Sequence, residues 1–277
     1  MKRIAIAILA ISSFTACNSN NTDKTTTNTM EKTDTSKTRV AHGVSYTVDT
    51  LNMESYVAFD SSASGKLPVV LVIPERWGLT EYAKSRANQL ADLGYLAIAV
   101  DMYGNGKQAM DPTEAGNLAK PFYTNPQMAQ QRFDAALAKA LSYPNADTSK
   151  VAAIGYCFGG AQVLNMARLG ENLDGVVSFH GNLIGVPADK SKLKAQILVC
   201  HGEADKFVSP AEVAAFKKQM DSIGANYTFK SYPNATHAFT NPEATATGKK
   251  FNMPIEYNEA ADKASWEDMK AFFAKIF

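Results

Sequence analysis

The residue best suited to do chemistry is Cys157, which lies between two glycines in the segment GYCFGG at residues 155–160. An apolar stretch typical of a buried strand precedes this segment, and a stretch typical of a helix follows it. A nucleophile on such a turn needs glycine two residues before and after it, because a Cβ there would block the close approach of strand and helix. The helix N-terminus also favours a thiolate. The pattern predicts a cysteine nucleophile, with an inert thiol in a tight turn as the alternative.

A thiol nucleophile needs a base and a group that orients the base, and both occur later in the chain. Asp205 follows one apolar segment and His237 follows the next one. The order nucleophile, acid, histidine is the order of hydrolase triads whose nucleophile lies on this type of turn. We therefore predict a triad in which Cys157 attacks, His237 moves the proton and Asp205 orients His237.

Neighbouring residues compete for these roles. Glu203 is an alternative acid, but Asp205 begins the segment DKFV, which has the form D-x-x-V. His180 and His201 also follow predicted strands, so either could line the site, but neither fits the expected order and we expect both to be structural. Cys200, inside an apolar segment, is expected to be a small core residue.

Strand-type and helix-type segments alternate along most of the chain. Such alternation predicts a mostly parallel sheet with helices on both faces. Residues 44–59 contain alternating segments that break near Asn52, which predicts an antiparallel hairpin at one edge of the sheet. The other predicted strands are residues 68–74, 95–100, 150–154, 175–179, 195–200 and 227–232, and the predicted helices are residues 81–93, 126–141, 161–169, 210–223 and 256–275.

Two long stretches, residues 102–125 and residues 240–254, interrupt this alternation. In open sheets of this class, function gathers beyond the carboxyl ends of the parallel strands. We therefore expect both stretches to form the rim of a substrate pocket.

Composition narrows the classes of function. With 277 residues, of which 45% are hydrophobic and 20% charged, the chain can bury one substantial core. A net charge of +1 indicates neither nucleic acid nor an acidic membrane surface as a partner. The three cysteines indicate no disulfide framework, and together with the four histidines they show no metal-ligand spacing. We expect a monomer without a metal.

The first 16 residues have a charged start, an apolar stretch and small residues before a cleavage point, as secretory signals do. The letters FTAC, which end at Cys17, resemble the lipobox of bacterial lipoproteins, in which the cysteine becomes lipid-modified. We therefore predict a lipoprotein-type signal peptide over residues 1–16 and lipidation of Cys17; an ordinary secretory signal is the alternative. Asn18, the residue after the predicted lipidated cysteine, favours sorting of the lipoprotein to the outer membrane. The expected location is the bacterial cell envelope, lipid-anchored or periplasmic.

Residues 18–38 are almost entirely polar and cannot bury enough surface to offset the entropy of ordering. We predict a disordered polar tether over residues 17–42 and a folded domain over residues 43–277. The protein would then contact a membrane only through its N-terminal lipid anchor.

Five sites in the predicted domain together resemble the dienelactone hydrolase family over about residues 43–277. The resemblance implies an α/β-hydrolase fold, a cysteine nucleophile that acts on esters and lactones, and no cofactor. The sites are GYCFGG around Cys157, Asp205, HAF from His237, DMYG from Asp101 and PERWG from Pro74.

The resemblance implies further site residues. Glu75 matches a family glutamate that pairs with the resting thiol and takes part in its activation. The backbone N–H groups of Phe158 and Arg76 would form the oxyanion hole, where losing one donor typically costs on the order of 10²-fold or more in rate. We also expect Trp77 to contact the substrate.

Two positions depart from the family. Members that cleave dienelactones hold the substrate carboxylate with arginines, and the matching positions here are Asn105 and Asn241. Asparagine cannot make the charge-assisted, bidentate contact that arginine makes to a carboxylate. We therefore predict a neutral, small to medium ester or lactone as substrate, with Asn105 and Asn241 as substrate contacts.

The sequence thus predicts a cysteine-dependent hydrolase of carboxylic esters or lactones that works through an acyl-enzyme. One alternative is an envelope-anchored binding lipoprotein that keeps the fold with little turnover. Another is a redox protein that pairs Cys157 with a resolving thiol, for which Cys200 is the candidate.

Overall fold

The computed structural model describes residues 37–277. The predicted signal peptide, Cys17 and most of the predicted tether lie outside these residues. The first strand begins at Arg39, before the predicted domain start at residue 43, and Arg39 pairs with Asp60 of the second strand. Backbone pairing gives this polar stretch hydrogen-bond partners although it buries little apolar surface, so the ordered part begins earlier than predicted.

One sheet of eight strands runs through the described residues, in the order β1-β2-β4-β3-β5-β6-β7-β8. Strands β1 and β2 form an antiparallel hairpin at one edge, β2 pairs antiparallel with β4, and the six strands from β3 to β8 are mutually parallel. The strands are β1 (Arg39–Val48), β2 (Leu51–Asp60), β3 (Leu67–Ile73), β4 (Leu96–Ala99), β5 (Ala146–Tyr156), β6 (Gly175–Phe179), β7 (Gln196–Gly202) and β8 (Tyr227–Tyr232). The predicted α/β-hydrolase fold with an edge hairpin is confirmed.

Helices cover both faces of the sheet and divide the core into two layers. Along β5, Val151 and Ala153 face one layer while Ala152 and Ile154 face the other, because successive side chains of a strand point to opposite sides. Helices α2 to α5 pack on the first face, and α1 and α7 on the second. The helices are α1 (Glu81–Asp92), α2 (Pro112–Thr124), α3 (Pro126–Leu141), α4 (Phe158–Leu169), α5 (Pro210–Ile223), α6 (Ala244–Phe251) and α7 (Glu259–Ile276).

Helices α2 and α6 lie inside the two stretches that interrupt the alternation. A start signal for α2 is present in the sequence, since Asp111 caps the helix by accepting hydrogen bonds from the N–H groups of Thr113 and Glu114, and Pro112 occupies the first helical position. Within residues 37–277, every helix is too short or too polar to span a membrane.

The close approach of β5 and α4 explains the two glycines around Cys157. A Cβ on Gly155 would overlap the backbone of Gly159, and a Cβ on Gly159 would overlap the backbone carbonyl of Ile73 in β3. Real Cβ atoms do not come so close to backbone atoms, so either substitution requires the strand and helix to move apart.

We expect Gly159→Ala to lower the free energy of unfolding by about 1–3 kcal/mol, the typical cost of overpacking a core. Gly116→Ala is the matched control, because a Cβ at Gly116 in α2 meets nothing within 4 Å. It should leave the stability unchanged or raise it, since alanine favours helix more than glycine does. Urea denaturation followed by circular dichroism measures both, and an equal loss in the two variants would contradict this account.

Candidate active site

Cys157 lies at the junction of β5 and α4, half-buried, with φ 53° and ψ −112°. Non-glycine residues with positive φ are uncommon and cluster at functional sites. The Cys157 N–H donates to the carbonyl of Phe179 at 3.0 Å and to Nδ1 of His180 at 3.1 Å. The predicted strand-to-helix turn is present, and the backbone N–H of its nucleophile candidate is shared between a backbone carbonyl and a side-chain nitrogen.

His237 and Asp205 meet at the same end of the sheet. Asp205 follows β7 and His237 follows β8, and Nδ1 of His237 lies 2.8 Å from Oδ2 of Asp205. The side chain of Asp205 is fully buried, and its other oxygen accepts the N–H of Phe207 at 2.8 Å. Because both carboxylate oxygens are engaged, Asp205 fixes the orientation of the imidazole and leaves Nε2 for Cys157.

The side chains of Cys157 and His237 line the same cavity, close enough for Cys157 to affect the pKa of His237. Burial lowers the pKa of His237, but the negative charge of Cys157 and the hydrogen bonds to Asp205 and Cys157 outweigh it and raise the pKa to about 10. The structure therefore brings together the three residues of the predicted triad. Glu203, the alternative acid, is exposed.

Glu75 follows β3 and lies buried beside the thiol, in the same cavity as Cys157 and His237. Its Oε2 accepts a hydrogen bond from Nδ2 of Asn241 at 2.7 Å. Burial raises the pKa of Glu75 despite this bond, because a carboxylate loses solvation in the interior. Glu75 can therefore hold a proton at a higher pH than an exposed glutamate.

Two backbone N–H groups near Cys157 have no hydrogen-bond partner among the residues that the structure describes. Phe158 is the first residue of α4, where a helix leaves its N–H groups without an intrahelical acceptor. Arg76 directly follows Glu75, and its carbonyl accepts the hydroxyl of Tyr103 at 2.9 Å. Among residues 37–277, no acceptor bonds to the N–H of Phe158 or of Arg76. These are the two donors expected for the oxyanion hole.

A cavity of about 300 Å³, here named the Cys157 cavity, opens beside these groups. Trp77, a predicted substrate contact, lines it and stacks on Phe251 with ring centroids 6.0 Å apart. Both interrupting stretches contribute to the wall, since α2 belongs to the first stretch and Met253 to the second. The lining residues that sequence reasoning did not single out are Gly116, Ala119, Lys120, Tyr123, Asn182, Phe207, Ala238, Met253 and Ile255.

Four of these missed residues carried a sequence signal. Gly116, Ala119, Lys120 and Tyr123 occupy positions i, i+3, i+4 and i+7, the spacing of one helix face. Together with the helix start at Asp111 and Pro112, the spacing could have indicated a helix with one face toward a pocket. The loop residues in the wall carry no comparable signal.

Asn105 and Asn241 do not line the Cys157 cavity, and their contact with substrate stays a prediction. Asn105 is exposed, with φ 54°, and its N–H bonds to the carbonyl of Asn52 at 2.7 Å. The Asp101 carboxylate stabilises this turn by accepting hydrogen bonds from the N–H groups of Tyr103, Gly104 and Gly106. Asn241 instead uses its amide on Glu75 and lines a neighbouring cavity.

The other cysteine and histidine candidates lie apart from the cavity. Cys200 is fully buried in the layer that contains α7, whereas Cys157 packs against the opposite layer. Burial raises the pKa of the Cys200 thiol to about 12. The ring of His201 packs against Phe229, and His180 is buried behind Cys157. In the part of the chain from residue 37 onward, no group of three or more potential ligands is arranged to hold a metal ion.

Comparison with known proteins adds the family. The sequence profile of the dienelactone hydrolase family matches residues 53–277. A proposed carboxymethylenebutenolidase of Methylorubrum extorquens is 30% identical over 186 residues, which are 63% of this chain and 64% of that protein. Another from Salmonella typhimurium is 26% identical over 234 residues, or 81% of this chain and 83% of that protein.

A solved structure supports the same assignment. The crystal structure of a dienelactone hydrolase-like promiscuous phosphotriesterase from metagenomic libraries is 34% identical to this chain, with a TM-score of 0.80. The match covers 86% of this chain and 99% of that one. Because the family profile spans all elements from β2 to α7, the chain belongs to the dienelactone hydrolase family and is a hydrolase of the ester-cleaving class.

Proposed function

We propose that this protein hydrolyses carboxylic esters or lactones through an acyl-enzyme on Cys157. The observation that carries the proposal is that the His237 imidazole, which Asp205 holds at 2.8 Å, lines one cavity with Cys157. The two unpartnered N–H groups and the Cys157 cavity support it, because they supply the oxyanion donors and the room that an ester needs.

In the acylation step, the sulfur of Cys157 attacks the carbonyl carbon and a C–S bond forms. The carbonyl oxygen takes the negative charge and accepts hydrogen bonds from the N–H groups of Phe158 and Arg76. The ester C–O bond then breaks, and the proton on His237 passes to the departing alcohol oxygen. In a lactone the alcohol stays attached to the acyl group.

In the deacylation step, neutral His237 takes a proton from water, and the oxygen attacks the thioester carbonyl. The C–S bond breaks, a carboxylic acid leaves and the imidazolium–thiolate pair forms again. Asp205 supports both steps by stabilising the protonated imidazole. We assign to Glu75 a role in activating the resting thiol, supported by its burial in the same cavity.

We further propose that the substrate is neutral and of small to medium size. The size of the cavity, about 300 Å³, and its lining by Trp77, Tyr123 and Phe207 support an uncharged group of that size. Two cations also line the cavity. The guanidinium of Arg76 lies 5.4 Å from the centre of the Trp77 ring, and Lys120 is exposed.

We expect Cys157→Ala to lower ester and lactone turnover by at least about 10³-fold, because loss of a nucleophile leaves only binding and the oxyanion donors. Cys200→Ala is the matched control and should keep turnover, since Cys200 is buried in the opposite layer. Steady-state rates on a panel of aryl esters and lactones measure both. Full activity in Cys157→Ala would refute the assignment, and a burst without steady-state turnover in the wild type would favour the binding lipoprotein.

We expect kcat/KM of the wild type to fall as pH rises through about 10, because His237 then loses the proton that the leaving alcohol needs. Asp205→Asn removes a charge that raises the pKa of His237, so the alkaline limb should move to lower pH by one unit or more and the rate should fall. Glu203→Gln makes the same charge change at an exposed site and should leave the limb in place. A pH-rate profile that Asp205→Asn does not shift would contradict this assignment.

A neutral lactone and its carboxylated analogue distinguish the substrate classes. We expect kcat/KM to be at least as high for the neutral lactone, and Lys120→Gln to change its turnover by less than about threefold. Lys249→Gln, at an exposed position of α6, controls for the loss of a surface cation. A preference for the carboxylated lactone that disappears in Lys120→Gln would overturn the proposal of a neutral substrate.

A further inference from the structure

His180 lies directly behind the nucleophile and contacts it through the backbone. It follows β6, is 1% exposed and has φ 42°. Its Nδ1 accepts the Cys157 N–H at 3.1 Å, and its Nε2 lies 2.7 Å from Oγ1 of Thr240. Since a backbone N–H can only donate, Nδ1 must be unprotonated, which places the proton on Nε2 and makes Thr240 the acceptor.

The same imidazole also touches the base. The ring centroids of His180 and His237 are 5.3 Å apart in an edge-to-face arrangement, and Phe239 packs edge-on against His180 at 5.3 Å. Burial and the neighbouring charge of His237 hold the pKa of His180 well below its usual value, so the ring stays neutral beside the charged imidazole. One side chain therefore contacts both the turn that carries the thiol and the ring that receives its proton.

The far side of His180 is anchored to the scaffold. Oγ1 of Thr240 lies 2.6 Å from the hydroxyl of Tyr82, and the carbonyl of Thr240 accepts a hydrogen bond from Arg86 at 2.7 Å. Arg86 in turn forms a buried ion pair with Asp262 of α7 at 2.5 Å. These contacts connect Cys157, through His180, to helices α1 and α7 on the opposite face of the sheet.

Both ends of this link are strained. Cys157 and His180 each adopt a positive φ, which non-glycine residues rarely do and which strains the backbone. Such conformations persist when surrounding contacts determine them, and the bond from Cys157 to His180 joins the two strained residues directly.

We propose that His180 is a positioning residue that keeps the Cys157 turn and His237 in register for proton transfer, with Thr240 as its anchor. The effect of His180 on turnover rests on the proposed function, whereas its positioning of the thiol does not depend on that function. On Cys157, His180 bonds to the backbone N–H and not to the thiol. It therefore acts through the nucleophile and the base rather than on the substrate.

Three variants test the hydrogen bond to the Cys157 N–H separately from the size of the His180 ring. In His180→Asn the side-chain oxygen can take the place of Nδ1, and asparagine tolerates positive φ. His180→Leu has a similar shape without an acceptor. Thr240→Val removes the anchor without a change of size. The measurements are kcat and KM on an aryl ester and the rate of Cys157 alkylation by iodoacetamide, read by peptide mass, with the unfolding temperature recorded for each variant.

We expect His180→Leu to lower both kcat and the alkylation rate by about 10- to 100-fold with KM changed less than about threefold, the pattern of lost positioning. His180→Asn should stay within about fivefold of the wild type. Thr240→Val should lower kcat in the wild type but have little effect in the His180→Asn background, because the shorter amide does not reach Thr240.

Unchanged kcat and alkylation in His180→Leu would overturn the proposal, and so would equal losses in His180→Leu and His180→Asn. If His180→Leu does not fold, the double-mutant comparison of His180→Asn with Thr240→Val decides the question, and fully additive effects on kcat would refute the link. Alkylation keeps the two proposals distinct, because it reports the thiol even if no ester is turned over.

Discussion

Close contact between backbones at the turn from β5 to α4 is the constraint around which the site is built. Gly155 and Gly159 have no space for a Cβ, since the backbone of Gly159 and the carbonyl of Ile73 occupy it. The turn forces Cys157 into a positive φ and projects its thiol beyond the carboxyl ends of the parallel strands. The loops after β7 and β8 reach the same edge of the sheet, so Asp205 and His237 lie at the edge where Cys157 lies.

Two buried histidines at this edge show how partners decide charge in an interior. His237 contacts a carboxylate and the thiol, and these contacts raise its pKa to about 10 in spite of burial. His180 contacts a backbone N–H and a hydroxyl, and burial together with the charge of His237 lowers its pKa. One imidazole is suited to carry a proton, while its neighbour at 5.3 Å is suited to remain a neutral hydrogen-bonding ring.

Two asparagines that the sequence predicts as substrate contacts lie outside the lining of the Cys157 cavity. The amide of Asn241 bonds to the buried Glu75, a carboxyl group whose pKa burial raises. Aromatic side chains from a loop and from α2, among them Trp77 and Tyr123, form much of the wall beside Cys157. The proposed substrate contacts are therefore the residues of this wall.

Features that depend on local chemistry and chain order could be predicted from the amino-acid sequence. The glycines around Cys157 indicated the turn, the strand and helix periodicities indicated the sheet, and Asp205 and His237 followed because parallel strands end at one edge. Tertiary contacts were needed to find the early start of β1, the wall of the cavity, the places of Asn105 and Asn241, and the link through His180. These depend on contacts between segments far apart in the chain, such as Asn241 with Glu75, and no local pattern of residues specifies which distant group a loop side chain will meet.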